Sequence, residues 1–346
     1  MKNSPPRVSI GLPVYNGQQY LAAAIDSLLA QTFTDFELVI SDNASTDDTA
    51  SICSEYAAQD GRIRYIRAET NRGAPWNFNQ AFKYARGEYF KWHAADDLCA
   101  PTLIEQSVAA LECNPQAVLC YPRTAVIDNQ GNLLANAPGS WQPAEGGDAD
   151  PRGLDSDRPS ERMRGILMDT VWCYELFGLI RHEAMARTHL HRTSSTSGKA
   201  FLLELALQGK FVELPEVLFF NRRHAQQYTM LTSVVDQASF DQPGKKSHVR
   251  KLPHQIPCTL AYAGCVMRGP LTLSDRLRCC GVLARYVFQI GKWKRIMRGA
   301  WRGLGMWDGS LSVPGAEAKQ EAPARPVDEY TLKSAEPARS SPPMPV

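Results

Sequence analysis

The sequence lacks the glycine-rich loops with which two large classes of nucleotide-binding enzymes hold phosphate. No Gly-x-Gly-x-x-Gly follows the first strand-like segment, which argues against a dinucleotide-binding dehydrogenase. No Gly-x-x-x-x-Gly-Lys-Ser/Thr occurs in the chain, which argues against a P-loop enzyme. Because no backbone loop is available to cradle phosphate, we expect a metal ion to neutralise any diphosphate that the protein binds.

A cysteine framework and long apolar segments are also missing. The nine cysteines are odd in number and include no Cys-x-x-Cys, so neither a disulfide framework nor a structural zinc site is expected. No uninterrupted apolar run approaches the ~20 residues of a membrane-spanning helix. Residues 1–7 show no apolar region of a signal peptide. We therefore expect a cytoplasmic protein in a reducing compartment.

Charge is distributed unevenly along a chain whose composition is otherwise that of a globular protein. The 346 residues are 44% hydrophobic and 21% charged, with a formal net charge of +2, which allows one large or two moderate domains. Residues 245–308 carry thirteen Lys and Arg against two Asp and Glu, so that segment has a net charge of +11 and the remainder −9. A segment this basic indicates an anionic surface or partner.

The first hundred residues alternate strand-like with helix-like segments. Short apolar segments at 8–12, 36–40, 63–66 and 89–92 predict four strands, and apolar residues at helical spacing predict helices between them. Strands separated by helices imply right-handed crossovers and a mostly parallel sheet. We therefore predict an α/β fold that binds its ligands at the carboxyl ends of the strands.

Three parts are predicted along the chain. Residues 1–236 form the α/β domain, residues 237–307 a basic helical region, and residues 308–346, rich in Pro, Ala, Ser and Glu, a disordered tail. The later predicted elements of the α/β domain are strands at 118–121, 176–180 and 212–220, a hairpin at 126–133 and a helix at 200–209.

Polar side chains follow three of the predicted strands. Pro13–Gly17 follows the first strand, Ser41–Asn43 the second and Asp96–Asp97 the fourth. Because the carboxyl ends of parallel strands meet at one edge of a sheet, we expect these segments to share a crevice. There Tyr15 would lie against a nucleobase, Asp42 would accept hydrogen bonds from base or ribose, and the acid pair would hold a divalent metal with a diphosphate. The alternative for the acid pair is a helix-capping turn, in which Asp is common.

Five motifs stand in order along the chain. They are Pro13-Val14-Tyr15-Asn16-Gly17, the nine residues from Ser41 to Thr49, Asn71-Arg72-Gly73 with Asn79, Arg86-Gly87-Glu88-Tyr89, and Asp96-Asp97 up to Pro101. Together they resemble the family 2 glycosyltransferases of the GT-A fold, closely over residues 7–130 and more loosely over 175–225. The resemblance implies a central, mostly parallel sheet flanked by helices. It also implies an inverting transferase that uses a nucleotide-sugar donor and Mg²⁺ or Mn²⁺.

The resemblance assigns roles to individual residues. Asp42 matches an acid that contacts the nucleoside, and Asp96 matches the metal-binding acid of the family's Asp-x-Asp. His224 resembles a C-terminal histidine that reaches the metal or the diphosphate. The residues of the nucleotide-binding motifs are then Pro13, Tyr15, Asn16, Asp42, Asn71, Gly73 and Asn79.

The chain departs from the family's pattern at two positions. Ala94 stands where the first acid of Asp-x-Asp is expected, and Gly198 stands where the family has an Asp as catalytic base. A glycine cannot remove a proton, so the alignment shifts, another acid replaces the base, or the protein transfers sugar poorly. The candidate substitutes are Glu204 and Glu175, and Asp97 is a further catalytic candidate.

Glu204 also has a structural interpretation. It lies in an otherwise apolar predicted helix. Because a buried charge is normally paired, the alternative to a catalytic role is an ion pair with an arginine such as Arg181.

Two functions from different classes follow from these residues. The leading one is a transferase at the cytoplasmic side of a membrane. It would add a sugar to a glycan or lipid-linked acceptor in surface-polysaccharide synthesis, by direct displacement with a metal and a general base. The alternative, motivated by Ala94 and Gly198, is a catalytically weak nucleotide-sugar-binding or scaffold protein. A nucleotidyltransferase is disfavoured because its basic, Gly-rich loop is missing, and no nucleic-acid recognition motif is found.

A basic amphipathic segment lies near the C-terminus. In residues 292–304, Trp293 and Trp301 share one helical face with other apolar residues, and the segment also contains five Lys and Arg. Such a helix suits the anionic inner face of the plasma membrane. The alternative is a helix docked on the catalytic domain with its basic side in water.

Overall fold

The computed structural model describes residues 4–141, 152–192, 197–224, 227, 241, 243 and 255–289. The strands are β1 Val8–Val14, β2 Phe36–Asp42, β3 Ile63–Arg67, β4 Tyr89–Trp92, β5 Leu98–Cys99, β6 Ala117–Ile127, β7 Leu179–Arg181 and β8 Lys210–Arg222. The helices are α1 Leu21–Leu29, α2 Thr49–Gln59, α3 Ala74–Lys83, α4 Leu103–Cys113, α5 Pro159–Arg164, α6 His182–Ala186, α7 Ser197–Ala206, α8 Gln255–Arg268 and α9 Leu273–Val287.

The eight described strands form one sheet in the order β3-β2-β1-β4-β7-β6-β8-β5. The first four of these strands pair in parallel, as the alternation of strands and helices predicts. Every residue of β1 and β2 is buried, which is typical of a parallel sheet with both faces covered. The predicted α/β fold is confirmed, and β3-β2-β1-β4 is called the parallel half below.

The other four strands form a mixed half. β7 is antiparallel to both β4 and β6, β6 is parallel to β8, and β5 is antiparallel to β8. β7 begins later than the predicted strand at 176–180, because residues Tyr174–Phe177 form a 3-10 turn. A Cβ on Gly178 would lie 2.5 Å from the carbonyl oxygen of Cys120. Glycine therefore allows the chain to pass close to β6 as it enters β7.

Two hydrophobic clusters cover the sheet. Tyr89 belongs to one cluster and its neighbour Phe90 to the other, so the clusters lie on opposite faces, as side chains alternate along a strand. The second cluster also contains Tyr262 of α8 and Cys279 of α9. The described part of the predicted basic region at 237–307 therefore packs on the α/β domain through a shared core.

Some predictions lie outside the described residues. These are the amphipathic helix at 292–304 and the tail at 308–346. Within the described part of the chain, none of the helices combines the length and apolar character needed to cross a bilayer. All nine cysteines are free, and two of them, Cys113 and Cys280, are exposed.

Candidate active site

The three predicted strand ends lie together at one edge of the sheet. Val14 of β1 pairs with Asp42 of β2, and Gly11 of β1 pairs with Trp92 of β4. Because β1 is the central strand of these three, the segments that follow each strand enter the same region. The structure therefore brings the Pro13–Gly17, Ser41–Asn43 and Asp96–Asp97 segments to one edge of the sheet.

The Asp42 carboxylate is buried and held by protein groups on both oxygens. Oδ1 accepts a hydrogen bond from the Ser45 backbone N–H at 2.9 Å. Oδ2 accepts one from the Tyr65 hydroxyl at 2.8 Å and lies 3.3 Å from Nε of Arg67. Burial, and then the hydrogen bond to Asp42, raise the pKa of Tyr65. Tyr65 and Arg67 were not identified from the sequence, where they belong to an ordinary strand.

The loop after β1 is fastened to the loop after β2. The Asn16 N–H donates to Oγ of Ser45 at 2.9 Å, and Oδ1 of Asn16 accepts from the Thr46 N–H at 2.8 Å. Asn16 and Ala44 both have positive φ angles, 51° and 61°, which non-glycine residues rarely adopt. Tyr15, next to Asn16, is 46% exposed. The two loops thus form one rigid unit that leaves the Tyr15 ring accessible.

Asn71 and Gly73 join this unit through Asn43. Nδ2 of Asn43 donates to Oδ1 of Asn71 at 2.8 Å and to the carbonyl oxygen of Gly73 at 3.2 Å. Gly73 has a φ of +89°, and a Cβ there would lie 2.1 Å from the carbonyl oxygen of Asp241. This position therefore requires glycine.

The predicted site residue Asn79 is bonded to a different segment, the backbone of His191. Its Nδ2 donates to the carbonyl oxygen of His191 at 2.9 Å, and its Oδ1 accepts from the His191 N–H at 3.0 Å. Asn79 therefore fastens α3 to the segment after α6. The amide at the strand ends is that of Asn77, whose Nδ2 donates to the carbonyl oxygens of Val14 and Ser41. A lone polar residue on the buried side of α3 is the signal that would have identified it.

The two predicted metal ligands are in contact although they lie far apart in sequence. Nε2 of His224 lies 2.8 Å from Oδ2 of Asp96. Their side chains are 14% and 24% exposed, so solvent reaches both. Arg222 donates from Nε to the backbone oxygen of Asp96 at 2.8 Å, and the Tyr20 ring lies 5.0 Å from the His224 ring. The chain therefore presents one carboxylate and one imidazole at this edge of the sheet.

This pair is suited to share a divalent cation with a bound phosphate. The described residues contain no group of three or more His, Cys, Asp or Glu side chains that could hold a metal. Mg²⁺ is commonly held by one or two carboxylates together with substrate phosphates and water. Carboxylate suits Mn²⁺ as well as Mg²⁺. Asp96 and His224 fit such a shared site and do not form a closed one.

Asp97, the neighbour of Asp96, points into the protein. Its Oδ1 accepts a hydrogen bond from the Arg222 N–H at 2.8 Å, and Nδ2 of Asn221 donates to the same oxygen at 3.1 Å. Burial raises the pKa of the Asp97 carboxyl well above its usual range, and the nearby charge of Asp96 adds to this. Asp97 therefore fixes the end of β8, which precedes His224.

Two buried basic side chains, Lys91 and His93, lie close to Asp97. Neither was identified from the sequence. The Lys91 ammonium donates to the carbonyl oxygens of Trp92 and Phe177, and burial lowers its pKa to about 8. Nε2 of His93 lies 3.1 Å from the backbone oxygen of Asp97, and burial lowers the pKa of His93 to about 3. His93 is therefore neutral in the folded protein.

The candidate substitute bases are held by basic side chains. The Glu204 carboxylate lies 2.7 Å from Nδ1 of His189, 3.0 Å from Arg192 and 3.7 Å from Arg268. Arg181 was the wrong partner, because its guanidinium donates to the carbonyl oxygens of Leu111 and Ala117. The interpretation of Glu204 as an ion-pair residue is supported by these contacts.

Gly198 lies near the start of α7, beside Cys173 and Leu176. Leu176 belongs to the 3-10 turn that also contains Glu175. The Glu175 carboxylate is buried and forms an ion pair with Arg152. Asp97, Glu175 and Glu204 are therefore all engaged with protein groups.

A cluster of aromatic and basic side chains borders the acid pair on the mixed half. The rings of Trp172 and Tyr174 are stacked, with centroids 6.2 Å apart and planes at 9°. The Arg223 guanidinium lies 4.3 Å from the centroid of the Trp172 ring and donates to the Tyr174 hydroxyl at 2.8 Å. Tyr174 is also 3.5 Å from Oδ1 of Asn221, which bonds to Asp97. No local sequence pattern marks this cluster, because its members come from two distant segments.

Curated relatives match about a third of the chain. It is 35% identical to chondroitin synthase of Escherichia coli over 131 residues, 38% of this chain and 19% of that protein. It is 33% identical to glycosyltransferase GlyG of Streptococcus pneumoniae over 98 residues, 28% of this chain and 33% of that protein. The chain therefore spans a third or less of the length of these two relatives.

Solved structures match it over a longer part. Crystal structures of S. aureus TarS 1–349 with UDP and with UDP-GlcNAc have TM-scores of 0.55 and 0.56 at 16% identity, and the match covers 81% of this chain and about 70% of theirs. This likeness confirms the GT-A type of fold. The model of the family described as "Glycosyl transferase family 2" matches residues 9–189, which is more than half of the 346-residue chain. The chain belongs to glycosyl transferase family 2.

Proposed function

We propose that the chain transfers a sugar from a nucleotide-sugar donor to a glycan or lipid-linked acceptor, with inversion, in the synthesis of a surface polysaccharide. The observation that carries this proposal is the Asp96–His224 pair. It lies at the same edge of the sheet as the loops after β1 and β2, residues 13–17 and 41–46, which are called the Asp42 edge. Related proteins include a chondroitin synthase and TarS, which was crystallised with UDP-GlcNAc. We place the reaction on the cytoplasmic side of a membrane, where nucleotide sugars are available.

The donor nucleotide fits the parallel half. Tyr15 offers an accessible ring for the base. The Asp42 carboxylate is oriented by Ser45 and Tyr65, so small movements of Tyr65 and Arg67 would open it to the nucleoside. Asn16 and Asn71 support this edge through their side-chain amide oxygens, and Gly73 through its backbone carbonyl oxygen. Pro13 lies within buried β1 and sets the direction of the loop.

The diphosphate fits beside Asp96 and His224. With Mg²⁺ or Mn²⁺ bound there, the ion would supply positive charge to the leaving diphosphate. Asp96 would hold one side of that site, and His224 would reach the metal or the diphosphate. Arg222 orients Asp96 through its backbone oxygen. Asp97 keeps Arg222 in place and acts by positioning, not by contact with substrate.

The acceptor fits the Trp172–Tyr174 stack. Flat aromatic rings with a polar edge suit the mixed apolar and hydroxylated faces of a sugar. Arg223 lies over Trp172 and donates to the Tyr174 hydroxyl, where it would meet a hydroxyl or an acidic group of the acceptor. This arrangement supports a carbohydrate acceptor entering from the mixed half.

The position of the family's general base is occupied by a glycine in this chain. Inversion by direct displacement uses a base on the acceptor hydroxyl, and Gly198 offers none. Glu204 is a weak candidate because three basic groups hold its carboxylate. These contacts favour a second candidate function, a nucleotide-sugar-binding protein with slow transfer.

The test compares Asp96→Ala with Asp35→Ala, which removes an exposed acid before β2. Calorimetry with UDP-sugars and GDP-sugars, with and without Mn²⁺, measures donor binding. We expect Asp96→Ala to abolish the metal-dependent part of binding and all transfer, while Asp35→Ala has no effect. Metal-dependent affinity that survives in Asp96→Ala would overturn the site assignment. Donor binding without transfer or hydrolysis in the wild type would favour the second candidate.

A further inference from the structure

The exposed apolar side chains of this protein are concentrated on two helices. Eight large apolar residues are exposed among the described residues, and six of them belong to α8, to α9 or to the residue that ends α9. The six are Ile256, Leu260, Met267, Leu273, Leu277 and Phe288. Ile256 is 40% exposed and the other five are 62–75% exposed. Because soluble proteins scatter such residues singly, a concentration of this kind marks an interaction surface.

On α9 the exposed residues form a continuous stripe. Leu273, Leu277, Ala284 and Phe288 recur at i, i+4, i+11 and i+15, which places them on one side of a helix. Cys279 on the opposite side is buried in the core. The helix therefore has an apolar face that packs on the domain and a second apolar face that meets solvent.

The same arrangement is found on α8. Ile256, Leu260 and Met267 are spaced i, i+4 and i+11 and are exposed, whereas Cys258 and Tyr262 are buried. The rings of Tyr262 and Tyr286 meet at 5.5 Å between the two helices. α8 and α9 therefore lie side by side with both stripes turned away from the domain. The six exposed residues of these stripes are called the α8–α9 face.

Positive charge borders the α8–α9 face. Arg268, Arg278 and Arg285 are exposed beside the stripes. Asp275 is the one acidic residue in α8 and α9. Its carboxylate accepts a hydrogen bond from the Thr272 hydroxyl at 2.7 Å and lies 3.8 Å from the Arg278 guanidinium, which is 60% exposed. The sequence that follows, residues 292–302, adds five further Lys and Arg. The partner of this face is therefore both apolar and anionic.

We propose that the α8–α9 face binds the surface of an anionic lipid bilayer, with both helices lying in the plane of the interface. A helix of this kind inserts its apolar stripe below the headgroups, while flanking arginines contact lipid phosphates. This adds a membrane partner to the proposed function and does not depend on the donor site. It uses described residues that are distinct from the predicted amphipathic segment at 292–304.

The charge pattern selects a bilayer over a second copy of the chain. Two α8–α9 faces brought together would place Arg278 and Arg285 of one copy near those of the other, and like charges at a closed interface are unfavourable. Nucleic acid would meet the arginines but would leave the apolar stripes in water. An anionic bilayer satisfies both features.

Cosedimentation of the full chain with vesicles tests the proposal. Vesicles of phosphatidylcholine alone are compared with vesicles that also contain phosphatidylglycerol, at low and high salt. We expect binding to the anionic vesicles that weakens with salt. The double variant Leu277→Ser with Phe288→Ser should weaken it by about tenfold or more, because two anchoring side chains are lost. Val171→Ser, which changes an exposed apolar residue outside the α8–α9 face, should bind as the wild type does.

The two exposed cysteines give an independent readout. Cys280 lies on α9 among the exposed residues, and Cys113 lies at the end of α4. A thiol-attached, polarity-sensitive fluorophore on Cys280, in a Cys113→Ser background, should shift to shorter wavelength with anionic vesicles. The same label on Cys113, in a Cys280→Ser background, should not.

Three results would overturn the proposal. One is an absence of binding to anionic vesicles. Another is equal vesicle binding by the wild type and a double variant whose circular dichroism shows it to be folded. The third is concentration-dependent self-association in the wild type that the double variant loses, since it would assign the face to a second copy of this chain.

Discussion

The parallel half and the mixed half of the sheet position the candidate site residues by different means. In the parallel half, loops that follow neighbouring strands are fastened to each other, as Asn16 is to Ser45 and Thr46. In the mixed half, Asp97 holds Arg222, which lies 125 residues later. Site residues of the first kind are recognised from short motifs, whereas those of the second kind depend on how the whole chain folds. The family's pattern is kept in the loops after β1 and β2, and it departs at Ala94, after β4, and at Gly198.

The largest expected effect concerns Gly198. A Cβ there would lie 3.2 Å from Cδ1 of Leu176, the end of a flexible side chain, so an aspartate is accommodated by a small shift. If the base is missing, Gly198→Asp should raise turnover by about 10²–10⁴-fold with donor affinity unchanged. Single-turnover transfer assays against Gly198→Asn, which has the same size without a base, measure this.

Equal turnover in the Asp and Asn variants would show that position 198 does not take part in proton transfer. Glu204→Gln separates the alternatives. If Glu204 is the base, this variant is nearly inactive and keeps normal donor affinity. If Glu204 is an ion-pair residue, as its contacts with Arg192 and Arg268 indicate, the variant loses stability and keeps its turnover.

An intermediate effect is expected at Asp97. Asp97→Ala removes the acceptor for two buried donors, on Arg222 and Asn221, and should lower the free energy of unfolding by about 3 kcal/mol. Asp97→Asn keeps one acceptor oxygen and should cost about 1 kcal/mol. Denaturant titration measures both. Metal-dependent donor affinity should fall with them because the end of β8 carries His224, and its persistence in a destabilised Asp97→Ala would refute the positioning role.

The smallest expected effect is a pH dependence of stability from His191. Burial lowers the pKa of His191 to about 4, whereas the pKa of a histidine in an unfolded chain is about 6.5. The unfolded chain therefore binds more protons between these values, so stability falls as pH drops. From pH 7 to pH 5 this residue should cost about 2 kcal/mol.

His191→Phe keeps the ring contacts with Trp92 and Phe201 and cannot be protonated. Urea unfolding at both pH values should therefore show a smaller decrease in the variant. Identical pH dependence in the two proteins would mean that His191 is not buried in the neutral form.

The sequence was informative where neighbours in space are neighbours in a motif. The strands of the parallel half, the Asp42 edge and the Asp96–His224 candidates followed from apolar periodicity, strand ends and the family resemblance. Asn79 was placed in the nucleotide motif, although its amide bonds to the His191 backbone. Lys91 was hidden within an apolar strand. No local pattern signals that such a side chain ends on the carbonyl oxygen of Phe177, 86 residues away.

Arg181 is a second residue whose contacts could not be predicted from the sequence. An ion pair between Arg181 and Glu204 was expected because their charges are opposite. Arg181 instead donates hydrogen bonds to the carbonyl oxygens of Ala117, at the start of β6, and of Leu111, in the last turn of α4. The three basic partners of Glu204 lie on other elements. Choosing among arginines requires the path of the chain, which charge alone does not give.

The long sequence separation between Asp96 and His224 has a consequence for synthesis of the protein. The two residues are 128 positions apart, and contacts of this range form late because a large loop must close first. The strands and loops of the Asp42 edge are complete once residues 8–92 have been translated. The Asp96–His224 contact can form only after His224 has emerged from the ribosome. A nascent chain therefore acquires the nucleotide edge before it acquires the completed metal pair.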